Sequence, residues 1–94
     1  MALILYQNGT QEAVSLPEDD LERLAFMQKI VGGYLGRLPS PDGKKSLLAN
    51  ENGLTTTGIG INQQATHIAS AWWEQYYPLL GNVILVDNDG ERFR

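Results

Sequence analysis

Residues 2–14 are Ala-Leu-Ile-Leu-Tyr-Gln-Asn-Gly-Thr-Gln-Glu-Ala-Val. A short apolar run, residues 2–7, leads into Asn8-Gly9, a dipeptide that favours a tight hairpin turn. Residues 10–14 then return beside the first segment. Because a tight hairpin joins antiparallel strands, the chain is predicted to begin with an antiparallel strand pair.

The same arrangement recurs further along the chain. Residues 34–38 and 45–50 are predicted strands, and residues 39–43 form a turn in which proline fixes φ and glycine accepts a positive φ. Residues 82–87 form a last, strongly apolar strand. Strands that come in hairpins, with two helices between them, predict an α+β fold in which a mostly antiparallel sheet of hairpins has two helices packed on it.

The first helix is predicted to begin near Pro17, since proline suits the first helical position and the acidic residues after it favour the positive end of the helix dipole. Gly32-Gly33 is expected to end it, because glycine adopts the left-handed cap conformation. Its core stripe is predicted from residues at helical spacing. These residues are Leu21, Leu24, Ala25 and Val31, widened by Met27 and Ile30.

The second helix is predicted to begin at Asn62, a residue type that caps helix N-termini, and to run to about Tyr77, with Pro78 ending it. One of its faces is expected to pack on the sheet. That face contains Ala65, Ile68, Ala69, Trp72 and Tyr76.

Composition narrows the class of protein. The 94 residues suit a single domain, 1–94, and 43% hydrophobic with 19% charged residues argues against disorder. No cysteine is present, which removes disulfides and thiolate metal sites and fits a reducing cytosol. No apolar run approaches the roughly 20 residues of a membrane span. The formal charge of −4 opposes binding to a nucleic acid polymer. The expected location is the cytoplasm, without a membrane partner.

A loop rich in threonine and glycine, residues 55–62, precedes the second helix. Glycines such as Gly58 and Gly60 let backbone N–H groups approach a phosphate, which a helix N-terminus also favours. The simpler interpretation is a connector whose glycines serve turn geometry. Asn62, Gln64 and Thr66 could bind a ligand through paired donors and acceptors, although Asn62 also suits a helix cap.

The paired aromatic residues at 72–73 and 76–77 cannot all face the core. Trp73 and Tyr77 are predicted on the flank, where exposed aromatic side chains mark a subunit interface or a stacking platform; the interface is the preferred interpretation. Arg92 and Arg94 are candidate cations for a phosphate, although solvated surface charge is the commoner explanation. His67 is the single histidine, so no metal site, catalytic group or cofactor is predicted.

Several short motifs occur in order along the chain: Val31-Gly32-Gly33-Tyr34, the sequence NENG at 50–53, NQQAT at 62–66 and LGNVILV at 80–86. Together they resemble an uncharacterised domain family of phages and prophages. That family has VGGY, NEEG, an asparagine-x-x-alanine-threonine helix start and a GDVVLV-like strand. Asn52 and Asn82 replace acids of the family pattern, which puts any role of those acids in doubt.

The layout also resembles, more faintly, phage sponge proteins of the Thoeris anti-defence type. This resemblance implies a non-enzymatic homo-oligomer that sequesters a small phosphorylated nucleotide-type signal, a cyclic nucleotide or a cyclic ADP-ribose isomer, and so inhibits host antiviral defence. The resemblance would also place the protein in the cytoplasm of a host bacterium and bring Asn62 and Thr66 to the ligand. The alternative hypothesis is a protein–protein interaction module of a phage or prophage accessory protein that uses Trp73 and Tyr77.

Overall fold

The computed structural model describes residues 2–51 and 60–87. The elements in these ranges are five strands and two helices. In chain order they are β1 (Ala2–Leu5), β2 (Gln11–Val14), α1 (Asp20–Val31), β3 (Leu35–Pro39), β4 (Lys45–Asn50), α2 (Gln63–Trp73) and β5 (Val83–Asp87).

The strands form one sheet in the order β2-β1-β5-β4-β3, and every neighbouring pair is antiparallel. The last strand, β5, therefore lies between the β1–β2 hairpin and the β3–β4 hairpin and joins them. The predicted α+β class, an antiparallel sheet of hairpins with helices packed on it, is confirmed.

The helices pack on opposite faces of the sheet, because successive side chains of a strand point to opposite faces. Leu48 and Ile84 lie in a cluster with Met27 and Val31 of α1, which we call the α1 cluster. The residues next to Leu48 and Ile84 in sequence belong to a second cluster, the α2 cluster, which lies on the other face. That cluster includes Leu5, Leu47, Ala49, Ala65, Ala69 and Val83.

The first helix ends at the predicted glycine but begins at Asp20 rather than near Pro17. The side chain of Asp19 accepts a hydrogen bond from the N–H of Glu22 at 3.0 Å. At the other end Gly32 has a φ of 83°, and its N–H donates to the carbonyl oxygen of Gln28 at 2.8 Å. A residue with a side chain is strained at this φ, so glycine stabilises this end of the helix.

The predicted core stripe of α1 is wrong at Leu21, Leu24 and Ala25 and confirmed at Met27 and Val31. The buried residues are Arg23, Met27 and Val31, whereas Leu21 and Leu24 are exposed. The core side of α1 is thus rotated away from the predicted one, toward Arg23.

Arg23 explains this rotation. Its guanidinium donates to the carbonyl oxygens of Pro17 at 3.2 Å and Glu18 at 3.1 Å, and it forms an ion pair with Asp20. These bonds compensate for the burial of the charge and fix the segment before the helix against its first turn.

The second helix begins as predicted but ends early. Asn62 is its N-cap, and the helix stops at Trp73 rather than near Tyr77. Glu74 adopts the left-handed conformation, with a φ of 54°, and the N–H of Tyr77 donates to the hydroxyl of Ser70 at 2.9 Å. This bond holds the chain beyond Trp73 in a non-helical path beside α2.

Candidate functional site

The start of α2, where a ligand was expected, is organised around Asn62. Its side chain is fully buried. Its Oδ1 accepts from the N–H of Ala65 at 3.1 Å, and its Nδ2 donates to the carbonyl oxygens of Leu5 at 2.7 Å and Gly81 at 2.8 Å. Both polar atoms of the amide are therefore bonded within the protein.

Thr66, one turn further along α2, is also buried and bonded internally. Its hydroxyl oxygen accepts from the N–H of Leu79 at 2.9 Å and lies 3.3 Å from the carbonyl oxygen of the same residue, to which it can donate. The N–H of Asn62 donates to that carbonyl oxygen at 2.8 Å. Thr66 therefore holds the returning segment against the beginning of α2.

Gln64 attaches the helix to the β1–β2 hairpin. Its Nε2 donates to the carbonyl oxygens of Tyr6 at 3.1 Å and Thr10 at 2.9 Å, while its Oε1 accepts from Nε2 of Gln11 at 2.8 Å. The three polar side chains expected to contact a ligand thus bind the protein's own backbone and loops. A ligand at the start of α2 would have to displace these bonds, and the ligand-binding role of these residues stays a prediction.

Of the glycine and arginine residues predicted for the site, Gly60 is the one that the structure describes. Gly60 accepts a hydrogen bond at its carbonyl oxygen from the N–H of Gly81 at 2.9 Å, and a Cβ at this position would collide with Nε2 of Gln7. Nε2 is the end of a flexible, exposed side chain that can move aside, so this contact does not by itself require glycine at position 60. Gly58, Arg92 and Arg94 lie outside the described residues.

The motifs that carried the family resemblance contact one another. The N–H of Glu51 donates to the carbonyl oxygen of Tyr34 at 3.0 Å. Asn82 accepts from the N–H of Gln7 at 3.0 Å and donates to the carbonyl oxygen of Ile30 at 3.4 Å. An ionised aspartate at position 82 could accept but not donate, so asparagine suits both bonds.

The two residues of the predicted aromatic interface differ in exposure. Trp73 is 41% exposed, and its Nε1 donates to the carbonyl oxygen of Pro39 at 3.1 Å. Tyr77 is instead partly buried against the α2 cluster, and Tyr76 is exposed in its place. The reversal follows from the early end of α2, because residues 76 and 77 no longer follow helical spacing.

A cleft of about 310 Å³ opens on the face of the sheet that α2 covers. Its sheet side is formed by residues of β3 and β4, including Gly36, Leu38 and Ala49, and its other side by residues 77–80. The polar residues that line it are Arg37, Asn50 and Glu51. The sequence offered no signal for this cleft, since its sides come from segments about 30 to 40 residues apart that only the fold brings together.

The outer side of α1 is a second feature that sequence reasoning missed. Leu21 is 78% exposed and Leu24 is 40% exposed, and Ala25 beside them is also exposed. Helical spacing indicated an apolar stripe at these positions but could not show that it faces away from the sheet. No sequence signal marked the core side, because Arg23 is charged and its burial is visible only in the structure.

Hydrogen bonds shift the pKa of two side chains, Tyr6 and Asp42. The hydroxyl of Tyr6 donates to Glu12 at 2.5 Å, and this bond raises the pKa of Tyr6. The Ser40 hydroxyl and the N–H of Lys44 lower the pKa of the Asp42 carboxyl. His67 is exposed, and among residues 2–51 and 60–87 no cluster of potential metal ligands occurs.

The chain matches no protein-family model, no curated protein and no solved structure. The resemblance to the phage family therefore stays a prediction based on the motifs. Within the part of the chain that the structure describes, neither helix combines the length and the apolar character needed to cross a membrane.

Proposed function

We propose that this chain is a non-enzymatic interaction protein that docks a partner protein along the outer side of α1. The observation that carries the proposal is the exposure of Leu21 and Leu24, at 78% and 40%. With Ala25 they have the spacing i, i+3 and i+4, so they form one stripe. The stripe lies on the side of the helix away from the buried Arg23 and Met27.

The spacing matches a known mode of recognition. A helix that lies in an apolar groove uses anchors at i, i+3, i+4 and i+7, positions that Leu21, Leu24, Ala25 and Gln28 occupy here. Covering exposed leucine side chains removes apolar surface from water, which favours association by about 25 cal/mol per Å². The α1 stripe, defined as Leu21, Leu24 and Ala25, therefore has the chemistry of a docking surface.

Charges near the α1 stripe specify the partner further. Glu18 and Glu22 are exposed near the first turn of the helix, and the chain carries a formal charge of −4. Complementary charge increases association rates and disfavours like-charged partners. The partner is accordingly a protein with an apolar groove whose rim is basic, and its binding weakens as salt increases.

The test is capture from cells with a photo-crosslinking residue at Gln28, in the intact chain. The expected result is one cross-linked partner that is lost in the double variant Leu21→Gln/Leu24→Gln and weakened by added salt. Tyr76→Gln, which changes an exposed apolar side chain outside α1, is the control that retains the partner. The proposal fails if the double variant captures the same protein as the unchanged chain.

A second candidate is the sequestration of a small nucleotide-derived immune signal, the sponge function implied by the resemblance. The observation that favours it is the cleft beside Gly36 and Tyr77, whose volume of about 310 Å³ is at the lower end of the range for small-molecule sites. With Asn62 and Thr66 bonded internally, a nucleobase would enter this cleft and not the start of α2.

Thermal unfolding with cyclic nucleotides and cyclic ADP-ribose isomers tests the second candidate. A bound signal should raise the Tm, and Ala49→Leu, which places a larger side chain in the cleft, should remove that increase. Ala13→Leu, on the exposed strand β2, is the matched control. If none of these compounds raises the Tm of the unchanged chain, the sponge function is wrong.

A further inference from the structure

Strand β3 lies at one edge of the sheet. Hydrogen bonds at its two ends show which backbone groups face β4: the N–H of Ser40 donates to Lys45, and the carbonyl oxygen of Tyr34 accepts from Glu51. Along an antiparallel strand, the N–H and C=O groups of successive residues point alternately toward the neighbouring strand and away from it. The N–H and C=O groups of Leu35 and Arg37 therefore point away from β4, toward the side where no other described strand lies.

The outer end of this edge is closed by the chain itself. Pro39 has no N–H to offer, and its carbonyl oxygen accepts from Nε1 of Trp73. Edge strands with unpaired backbone groups are templates for pairing with another strand. On β3 this template is short and centred on Gly36.

We propose that a second copy of this chain pairs with the β3 edge, antiparallel to it, about a two-fold axis at Gly36. In this register Leu35 faces Arg37 of the second copy, and each residue donates its N–H to the other and accepts at its carbonyl oxygen. All the outward groups of Leu35 and Arg37 are then paired. The two sheets become one continuous sheet.

Exposed aromatic side chains flank this edge on one face. Alternation along the strand places Tyr34 on the same face as Gly36 and Leu38, the face that α2 covers. Tyr34 is 68% exposed and Trp73 is 41% exposed, and they lie at opposite ends of β3. The two-fold axis sets Tyr34 opposite Leu38 of the second copy and beside its Trp73, so both aromatic side chains lose exposed surface.

The other edge of the sheet has no such complementarity. The N–H of Tyr6 donates to Thr10, so Gln11 and Ala13 are the outward residues of β2. Self-pairing there would place Glu12 opposite Glu12 of the second copy, and facing like charges are destabilising. On β3 the charged side chain of Arg37 faces leucine instead.

The experiment is sedimentation of the full chain at concentrations from about 1 μM to about 1 mM, the range expected for a small interface. The variant Arg37→Pro removes an outward N–H that β4 does not use, a change that edge strands tolerate. We expect a concentration-dependent dimer for the unchanged chain and a monomer for this variant. Ala13→Pro makes the same change on β2, and Arg37→Gln removes only the charge; both should still dimerise.

A second measurement keeps the test decisive if Arg37→Pro does not fold. Tyr34→Ser leaves the backbone unchanged and should weaken dimerisation by about tenfold or more. Amide hydrogen exchange of Leu35 and Arg37 should slow as the protein concentration rises. A chain that stays monomeric throughout, an unweakened dimer of Tyr34→Ser, or a dimer lost in Ala13→Pro but kept in Arg37→Pro would each overturn the proposal. This outcome is independent of docking by the α1 stripe.

Discussion

Nδ2 of Asn62 donates a hydrogen bond to the carbonyl oxygen of Leu5 at 2.7 Å, across a separation of 57 residues in sequence. The same nitrogen donates to the carbonyl oxygen of Gly81 at 2.8 Å. Because Leu5 ends β1 and Gly81 lies just before β5, one buried amide joins two strands to the start of α2. Asn62 is therefore a structural clamp as well as a helix cap.

Replacing Asn62 by alanine should lower the free energy of unfolding by about 2–4 kcal/mol. The change removes the cap of α2 and leaves buried carbonyl oxygens without donors, and each of these effects costs about 1 kcal/mol or more. Urea unfolding measures the difference. Gln63→Ala, at the exposed neighbouring position, should change stability by less than about 0.5 kcal/mol.

Asn62→Asp separates the two roles of this residue. A carboxylate can still accept from the N–H of Ala65 but cannot donate to Leu5 or Gly81. We expect this variant to be destabilised at least as much as Asn62→Ala at neutral pH, because a buried carboxylate oxygen would face those two carbonyl oxygens. A variant as stable as the unchanged chain would show that the cap alone matters.

Local signals along the chain predicted much of the fold. The Asn8-Gly9 turn, the glycine end of α1 and the cap at Asn62 depend on residues only a few positions apart, and the structure agrees with each of them. The antiparallel class followed from these hairpins. The position of β5 between them did not, since nothing local in the strand specifies its neighbours.

The candidate site was harder to predict because its polar side chains have distant partners. Gln64 contacts Tyr6 and Thr10, more than 50 residues away in sequence. A cluster of asparagine, glutamine and threonine before a helix has the same composition whether it binds a ligand or holds loops together. Only the three-dimensional positions of the carbonyl oxygens distinguish the two uses.

Met27 and Leu24 should respond very differently to truncation, although both are apolar residues of α1. Met27→Ala should cost about 2–4 kcal/mol of stability, because Met27 is buried in the α1 cluster. Leu24→Ala should cost less than about 1 kcal/mol, since Leu24 is exposed and alanine is a good helix former. Equal losses in urea unfolding would contradict the orientation of α1.

Glu74 should be improved by glycine. Its φ of 54° lies in the left-handed region, which costs a residue with a side chain roughly 1 kcal/mol. Glycine adopts this conformation without the clash, so Glu74→Gly is expected to stabilise the chain by about 0.5–1 kcal/mol in thermal or urea unfolding. Glu74→Ala removes the same carboxylate but keeps the Cβ, and it should show no such gain.

The stability of the protein is expected to depend on pH through Asp42. The hydroxyl of Ser40 donates to its carboxylate at 2.6 Å and the N–H of Lys44 donates at 3.0 Å, so the pKa of Asp42 is lowered below its ordinary value of 3.8. Since the folded state holds the charged form more strongly than the unfolded state, this contribution to stability is present above the unfolded pKa. It is lost as the pH falls through the folded pKa.

The measurement is an NMR titration of the Asp42 side-chain carboxyl carbon. In the unchanged chain the midpoint should lie below 3.8, and in Ser40→Ala it should move upward, because the larger of the two hydrogen-bond contributions is removed. Ser15→Ala, at an exposed position before α1, changes a serine far from the β3–β4 turn and should leave the midpoint unchanged. A midpoint that does not respond to Ser40→Ala would mean that the turn does not hold the carboxylate in solution.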